Sequence, residues 1–208
     1  MSGGREPWEV RQAEFVAGAV GRAGLPRAGF PQVAFAGRSN VGKSSFINML
    51  VRKHDLARAS KAPGRTRQIN FFRINDRWLY ADLPGYGFAV ASHAEMEQWR
   101  RMIEEFLEGN DRLRLVVLLL DARREPSPLD DQLVAFLEDR RIPAQVVLTK
   151  CDKLSANELA KARRAVARHY GLPAGCEPIA TAAAKGVGRE EALRMIYKFL
   201  QADAAGRG

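Results

Sequence analysis

One octapeptide constrains this chain more than any other feature: Gly37-Arg38-Ser39-Asn40-Val41-Gly42-Lys43-Ser44 matches G-x-x-x-x-G-K-[ST] throughout. It follows a short apolar run, Val33 to Ala36, and leads into a segment, Lys43 to Lys53, that reads as a helix. In that order, strand, loop and helix form an anion cradle. Glycines let the backbone wrap a phosphate closely, successive N–H groups point inward, and the helix N-terminus adds partial positive charge. Lys43 supplies a point charge for β- and γ-phosphates, and the Ser44 hydroxyl is placed to ligate Mg²⁺. The motif implies a nucleotide and leaves the base open.

The rest of the chain alternates between strand and helix patterns. Trp8 to Val20 reads as a short helix and Gly21 to Pro31 as a Gly/Pro connector. Ile69 to Ile74 and Trp78 to Ala81 flank Asn75-Asp76, a hairpin signal. Leu115 to Leu120 and Val146 to Leu148 are continuous apolar runs, as in strands buried on both faces. Helical spacing recurs over Glu95 to Glu108, around Leu129, Leu133, Phe136 and Leu137, and over Glu158 to Tyr170 and Glu190 to Gln201. Pro178 to Thr181 reads as a last short strand. The fold expected is α/β and three-layered: a mostly parallel sheet of about six strands, one of them from an antiparallel hairpin, between helices.

At 208 residues, 46% hydrophobic and 27% charged, the chain fits one soluble domain. Residues 1–30 read as an N-terminal extension, 31–201 as the nucleotide-binding domain and 202–208 as a disordered tail. No apolar run is long enough to span a bilayer, and Glu6, Glu9 and Glu14 among Arg5 and Arg11 do not read as a secretory leader. Cys151 and Cys176 lack metal-ligand or redox spacing and read as free thiols of a reducing cytoplasm.

Base identity rests on elements further along. Thr149-Lys150-Cys151-Asp152 follows the buried strand Val146 to Leu148, at the carboxyl end where such sheets bind ligands. Guanine offers two adjacent donors that one carboxylate can accept, whereas adenine would leave that carboxylate unpaired. Asp152 suits that role, and the Lys150 stem can cover the base. Thr181-Ala182-Ala183 can supply a backbone N–H to the guanine carbonyl. Asp82-Leu83-Pro84-Gly85 follows another strand, where the carboxylate can hold Mg²⁺ through water and the Gly85 amide can reach the γ-phosphate. Taken alone, it reads as a turn. Between these motifs, Thr66 is the natural second hydroxyl for Mg²⁺, present only while a γ-phosphate holds its loop.

The formal charge of +9 is uneven. From Arg52 to Arg77, eight basic residues (Arg52, Lys53, Arg58, Lys61, Arg65, Arg67, Arg73, Arg77) face two acids (Asp55, Asp76), a net +6. Such an excess attracts polyanions, unless the segment is simply a solvated loop.

The combination G-R-S-N-V-G-K-S-S, P-G-R-T, D-L-P-G-Y-G and T-K-x-D resembles the EngB (YihA/YsxC) family of bacterial Era-like GTPases, over about Pro31 to Leu200. That resemblance implies a slow GTPase acting as a Mg²⁺-dependent switch in large ribosomal subunit assembly, with a link to cell division and septation. It implies a cytoplasmic monomer that binds GTP or GDP, docks on the large subunit or its rRNA, and binds no membrane. Nucleotide contacts would fall on Gly37 to Ser44, on Gly64, Arg65, Thr66, Arg67 and Gln68, on Asp82 to Gly85, on Thr149 to Asp152 and on Thr181 to Ala183. Mg²⁺ would fall on Ser44, Thr66 and Asp82. The family's usual serine-rich segment is replaced here by Thr181-Ala-Ala-Ala-Lys-Gly.

Catalysis would involve Lys43, Thr66, Gly85 and Asn40. After Gly85 this chain has Tyr86, where Ras-type enzymes carry a water-orienting Gln, so intrinsic hydrolysis should be slow. His93 reads as a solvent-facing loop residue. In potassium-activated relatives an asparagine before V-G-K holds K⁺ beside the phosphates; Asn40 either does this or simply turns the loop. A P-loop nucleotide or small-molecule kinase is the alternative, but T-K-x-D and D-L-P-G favour the switch.

Overall fold

The computed structural model describes residues 6–20, 24, 26, 29–57, 68–87 and 93–201. Seven strands, β1 (Ala13–Ala19), β2 (Gln32–Gly37), β3 (Ile69–Ile74), β4 (Trp78–Asp82), β5 (Leu113–Asp121), β6 (Ala144–Thr149) and β7 (Ile179–Ala180), form one sheet in the order β1-β3-β4-β2-β5-β6-β7. Helices α1 (Lys43–Val51), α2 (His93–Glu108), α3 (Pro128–Asp139), α4 (Ala156–His169) and α5 (Arg189–Gln201) cover it. From β4 through β2, β5 and β6 to β7 all pairs are parallel, while β3 is antiparallel to both β4 and β1.

Strand alternation builds the three layers. Val33, Phe35, Val117 and Leu119 point to one face, where Phe46, Ile47 and Leu50 of α1 and Leu193 and Ile196 of α5 cover them. Ala34, Ala36, Leu118 and Leu120 point to the other, against Met102 and Phe106 of α2, Leu133 of α3 and Val166 of α4. Among the described residues, no helix is long and apolar enough to cross a membrane.

The Asn75-Asp76 hairpin forms as its sequence predicts. Both residues take positive φ (51° and 53°), and Arg77 N–H donates to Ile74 C=O at 3.0 Å. The helix expected over Trp8 to Val20 does not form; Ala13–Ala19 is an edge strand, which makes seven strands rather than six. Val10, Ala13 and Ala17 fall at helical spacing, but β3 would otherwise expose its backbone edge, and pairing outweighs that local pattern. A register shift between Phe15 and Ala17 also breaks the alternation that would have marked the strand.

Candidate functional site

The loop from Gly37 to Gly42 leaves the carboxyl end of β2, where the sheet order reverses between β4 and β5. Gly42 is the N-cap of α1 at φ 107°, a conformation that a side chain would strain. No side chain caps α1, and its first turn contains no acid. Two other helices treat their N-termini differently. Ser127 with Asp130 on α3, and Ser155 with Glu158 on α4, form reciprocal capping boxes. Of these three, α1 is the N-terminus whose N–H groups are left for an external anion.

Contacts from β6 and the loop after it hold the phosphate loop from outside. Thr149 Oγ1 lies 2.7 Å from Val41 O and 3.1 Å from Leu120 O. Lys150, at φ 59°, sends its ammonium to Asn40 O at 2.6 Å and to Asp121 Oδ2 at 2.9 Å. Asp121 also takes both nitrogens of the Arg123 fork, at 2.8 and 2.7 Å. Burial pushes its carboxyl up, but the Arg123 and Lys150 hydrogen bonds outweigh that and hold it well below the usual carboxylate range. The Lys150 stem is thereby stretched along the loop.

Beside it, Cys151 N–H donates to Thr181 O at 3.1 Å, and Thr181 N–H donates to Leu148 O at 2.7 Å. These bonds tie T-K-C-D to Thr181-Ala182-Ala183. The Cys151 thiol is buried, and burial pushes its pKa up. The Asp152 side chain is 12% exposed and lies 3.2 Å from Lys153 Nζ. Ala182 is occupied by backbone pairing with Val187, while Ala183 opens a single 3-10 turn to Lys185.

Asp82 closes β4, and its carboxylate pairs with the Lys43 ammonium, the two side chains 7% and 11% exposed. Beyond it, pairing with the phosphate loop continues: Leu83 N–H reaches Phe35 O at 3.0 Å, and Ser39 N–H reaches Tyr86 O at 2.7 Å. A Cβ on Gly85 would stand 3.2 Å from Ser39 N, Cα and Oγ, so only glycine packs there without displacing the loop. The Leu83 side chain is core, and the Pro84 carbonyl accepts from Trp99 Nε1 at 2.8 Å.

Among the described residues, no group of three or more His, Cys, Asp or Glu could hold a metal. Ser44 and Asp82 offer oxygen donors only, and Lys43 already balances the buried Asp82 charge. A hard divalent cation arriving with phosphate oxygens fits that donor set.

The structure therefore brings together Gly37 to Ser44, Asp82 to Gly85, Thr149 to Asp152 and Thr181 to Ala183. Gln68 lies apart: it packs against Gly18 of β1 and donates to Asn70 Oδ1 at 3.0 Å. Gly64, Arg65, Thr66 and Arg67, with Arg58 and Lys61, lie outside the described residues. His93, expected in a loop, opens α2. Three residues escaped the sequence reading: Asp121, Asp130 and Trp99. Asp121 ends a buried strand at the ligand edge of the sheet, and Ser127-x-x-Asp130 reads as a capping box, so both carried a signal. Trp99 carried none.

Comparison with known proteins decides the family. Residues 32–150 match the family model described as 50S ribosome-binding GTPase. A probable GTP-binding protein EngB of Pelotomaculum thermopropionicum is 43% identical over 192 residues, covering 92% of this chain and 97% of that protein. The chain belongs to the EngB family. It is thus a GTP-binding protein and a GTPase, not a metabolic kinase. The EngB of Syntrophus aciditrophicus is similar at 46% identity over 190 residues, covering 91% and 96% of the two chains. A crystal structure of a probable EngB superposes with TM-score 0.70 at 27% identity, covering 82% of this chain and 98% of that one. Era, solved with MgGDPNP and an rRNA fragment, shares the fold at TM-score 0.60 and 21% identity, covering 82% and 56%.

Proposed function

We propose that this EngB protein is a Mg²⁺-dependent GTP switch that docks on the large ribosomal subunit while that particle assembles, in the cytoplasm and as a monomer. The observation that carries the reading is the uncapped, acid-free N-terminus of α1, held open by Lys150 and Thr149. The phosphates lie in the Gly37 to Ser44 loop, with Lys43 leaving Asp82 for the β- and γ-phosphates. Ser44, Thr66 and Asp82 hold Mg²⁺, which neutralises phosphate charge. The base lies on the Lys150 stem, both its donors go to Asp152, and the Ala183 N–H meets its carbonyl, the Ala182 N–H being taken by Val187 O. Gly85 N–H and the Gly64 to Arg67 segment respond to the γ-phosphate, without Gln68, which lies apart.

Hydrolysis is slow because no amide side chain follows Gly85. Asn40 either holds K⁺ beside the phosphates or simply turns the loop, at φ 63°. The matched model's description supports the ribosomal partner, and so does the +6 segment from Arg52 to Arg77. The link to division and septation is carried by the family resemblance alone. Sedimentation with purified large subunits under GTP analogue, GDP and no nucleotide tests the switch. Co-sedimentation with the analogue and not with GDP is expected; equal binding in all three states would refute it.

A further inference from the structure

In Ras-type enzymes an amide side chain after the D-x-x-G glycine orients the attacking water. Here Tyr86 occupies that position, and its hydroxyl is committed to Asp130 at 2.5 Å, under Trp99. That leaves the water-orienting position open to another group. Ser39 Oγ, in the middle of the phosphate loop, is buried and has no hydrogen-bond partner among the described residues. A buried hydroxyl left unpaired is unfavourable, and such groups in native proteins call for a reason, a ligand being one. Other buried polar side-chain atoms, of Trp78 and Tyr80 in the core under α1 and α5 and of Tyr170 at the end of α4, lie away from the site. Ser39 lies in the site itself.

The surroundings of Ser39 say what it faces. Its N–H is held by Tyr86 O, and Gly85 packs directly on its Cα and Oγ. Gly85 is the residue whose amide is proposed above to meet the γ-phosphate, and on that reading Ser39 Oγ, packed against Gly85, would stand beside the same phosphate. A hydroxyl has one donor and two acceptor sites. Like a glutamine amide, it can accept from a water while donating to a phosphate oxygen.

We propose that Ser39 is a catalytic residue for GTP hydrolysis, its Oγ accepting from the attacking water and donating to a γ-phosphate oxygen. In that step the water oxygen bonds to the γ-phosphorus. The bond to the β–γ bridging oxygen breaks with its electron pair leaving on GDP, and both water protons end on the released phosphate. Ser39 keeps its own proton. The inference rests on the phosphates lying in the Gly37 to Ser44 loop.

The test compares full-length wild type, Ser39→Ala and Ser39→Thr in Mg²⁺, by single-turnover GTP hydrolysis and by titration with fluorescent GDP and a non-hydrolysable GTP analogue. Ser39→Ala is expected to slow hydrolysis by about tenfold or more and to lose several-fold in analogue affinity, while GDP affinity stays within about twofold. Ser39→Thr, which keeps the hydroxyl, should recover part of the rate. The alanine variant should melt no lower than wild type, since it removes an unpaired group. Wild-type hydrolysis in Ser39→Ala, or equal loss in Ala and Thr variants, overturns the proposal. Failure of wild type to bind GDP would instead overturn the placement of the phosphates, and the proposal with it.

Discussion

The Tyr86 hydroxyl donates to Asp130 Oδ1 at 2.5 Å, with the two residues 2% and 1% exposed. Asp130 Oδ2 meanwhile accepts from the Ser127 N–H and hydroxyl, at 2.7 and 2.6 Å. One carboxylate thus caps α3 and holds the end of the D-L-P-G-Y segment. Burial, then the Asp130 charge, push the Tyr86 phenol well above its usual range, so it stays a neutral donor across physiological pH.

Tyr86→Phe should therefore act on stability more than on chemistry. It strands one buried carboxylate oxygen and keeps the ring on Trp99. The expected loss is roughly 1.5–3 kcal/mol in urea unfolding, as for a hydrogen bond to a charged group. The hydrolysis rate should change little. Unchanged stability would mean that water replaces the phenol freely.

The second prediction concerns the base. Asp152 is largely buried and its Oδ2 pairs with the exposed Lys153, which leaves Oδ1 for a ligand donor. Asp152→Asn should weaken GTP by roughly 2–4 kcal/mol and favour xanthosine triphosphate. Wild-type GTP affinity in this variant would remove Asp152 from the base site.

The site was more legible than the sheet edge. G-x-x-x-x-G-K-S names backbone conformations and a charge that few other residues supply, so it could be read by itself, while D-L-P-G, a turn when taken alone, and T-K-x-D gained meaning from following it in order at strand ends. Lys150 could be placed on the base, but its fixing by Asp121 could not, because that bond joins the ends of adjacent strands β5 and β6. Strand β1 was missed for the same reason. Its partner lies fifty residues away or more, since Ala19 pairs with Ile69 and Ala13 with Ile74, and its seven residues carry no alternation of their own.

The third prediction separates two roles for Asn40. Its φ of 63° suits asparagine or glycine, which is reason enough for its presence. Asn40→Gly keeps that backbone and deletes only the amide. If the amide holds K⁺, wild type should hydrolyse GTP faster in K⁺ than in Na⁺ at equal ionic strength, and Asn40→Gly should respond to neither. Identical wild-type rates in both salts would leave Asn40 as a turn residue alone.

Asn75 supports the last prediction, because it joins the readable hairpin to the unreadable strand. Its Oδ1 accepts the Arg11 and Gln12 N–H groups at 2.8 and 3.0 Å, and its Nδ2 donates to Glu9 O at 2.7 Å. Its own N–H donates to Gln12 O at 3.0 Å. The turn side chain therefore fixes residues 9–12, and with them the start of β1. Asn75→Gly keeps the positive φ that the turn requires and removes all three side-chain bonds, so turn strain cannot explain the outcome. At about 0.5–1.5 kcal/mol for each bond, less for those near solvent, a total loss of roughly 1–3 kcal/mol is expected. Hydrogen exchange should show that loss locally, with amides of Ala13–Ala19 exchanging faster while those of β5 and β6 hold. Uniform acceleration across the sheet would mean that β1 belongs to the global folding unit and not to a separately pinned edge.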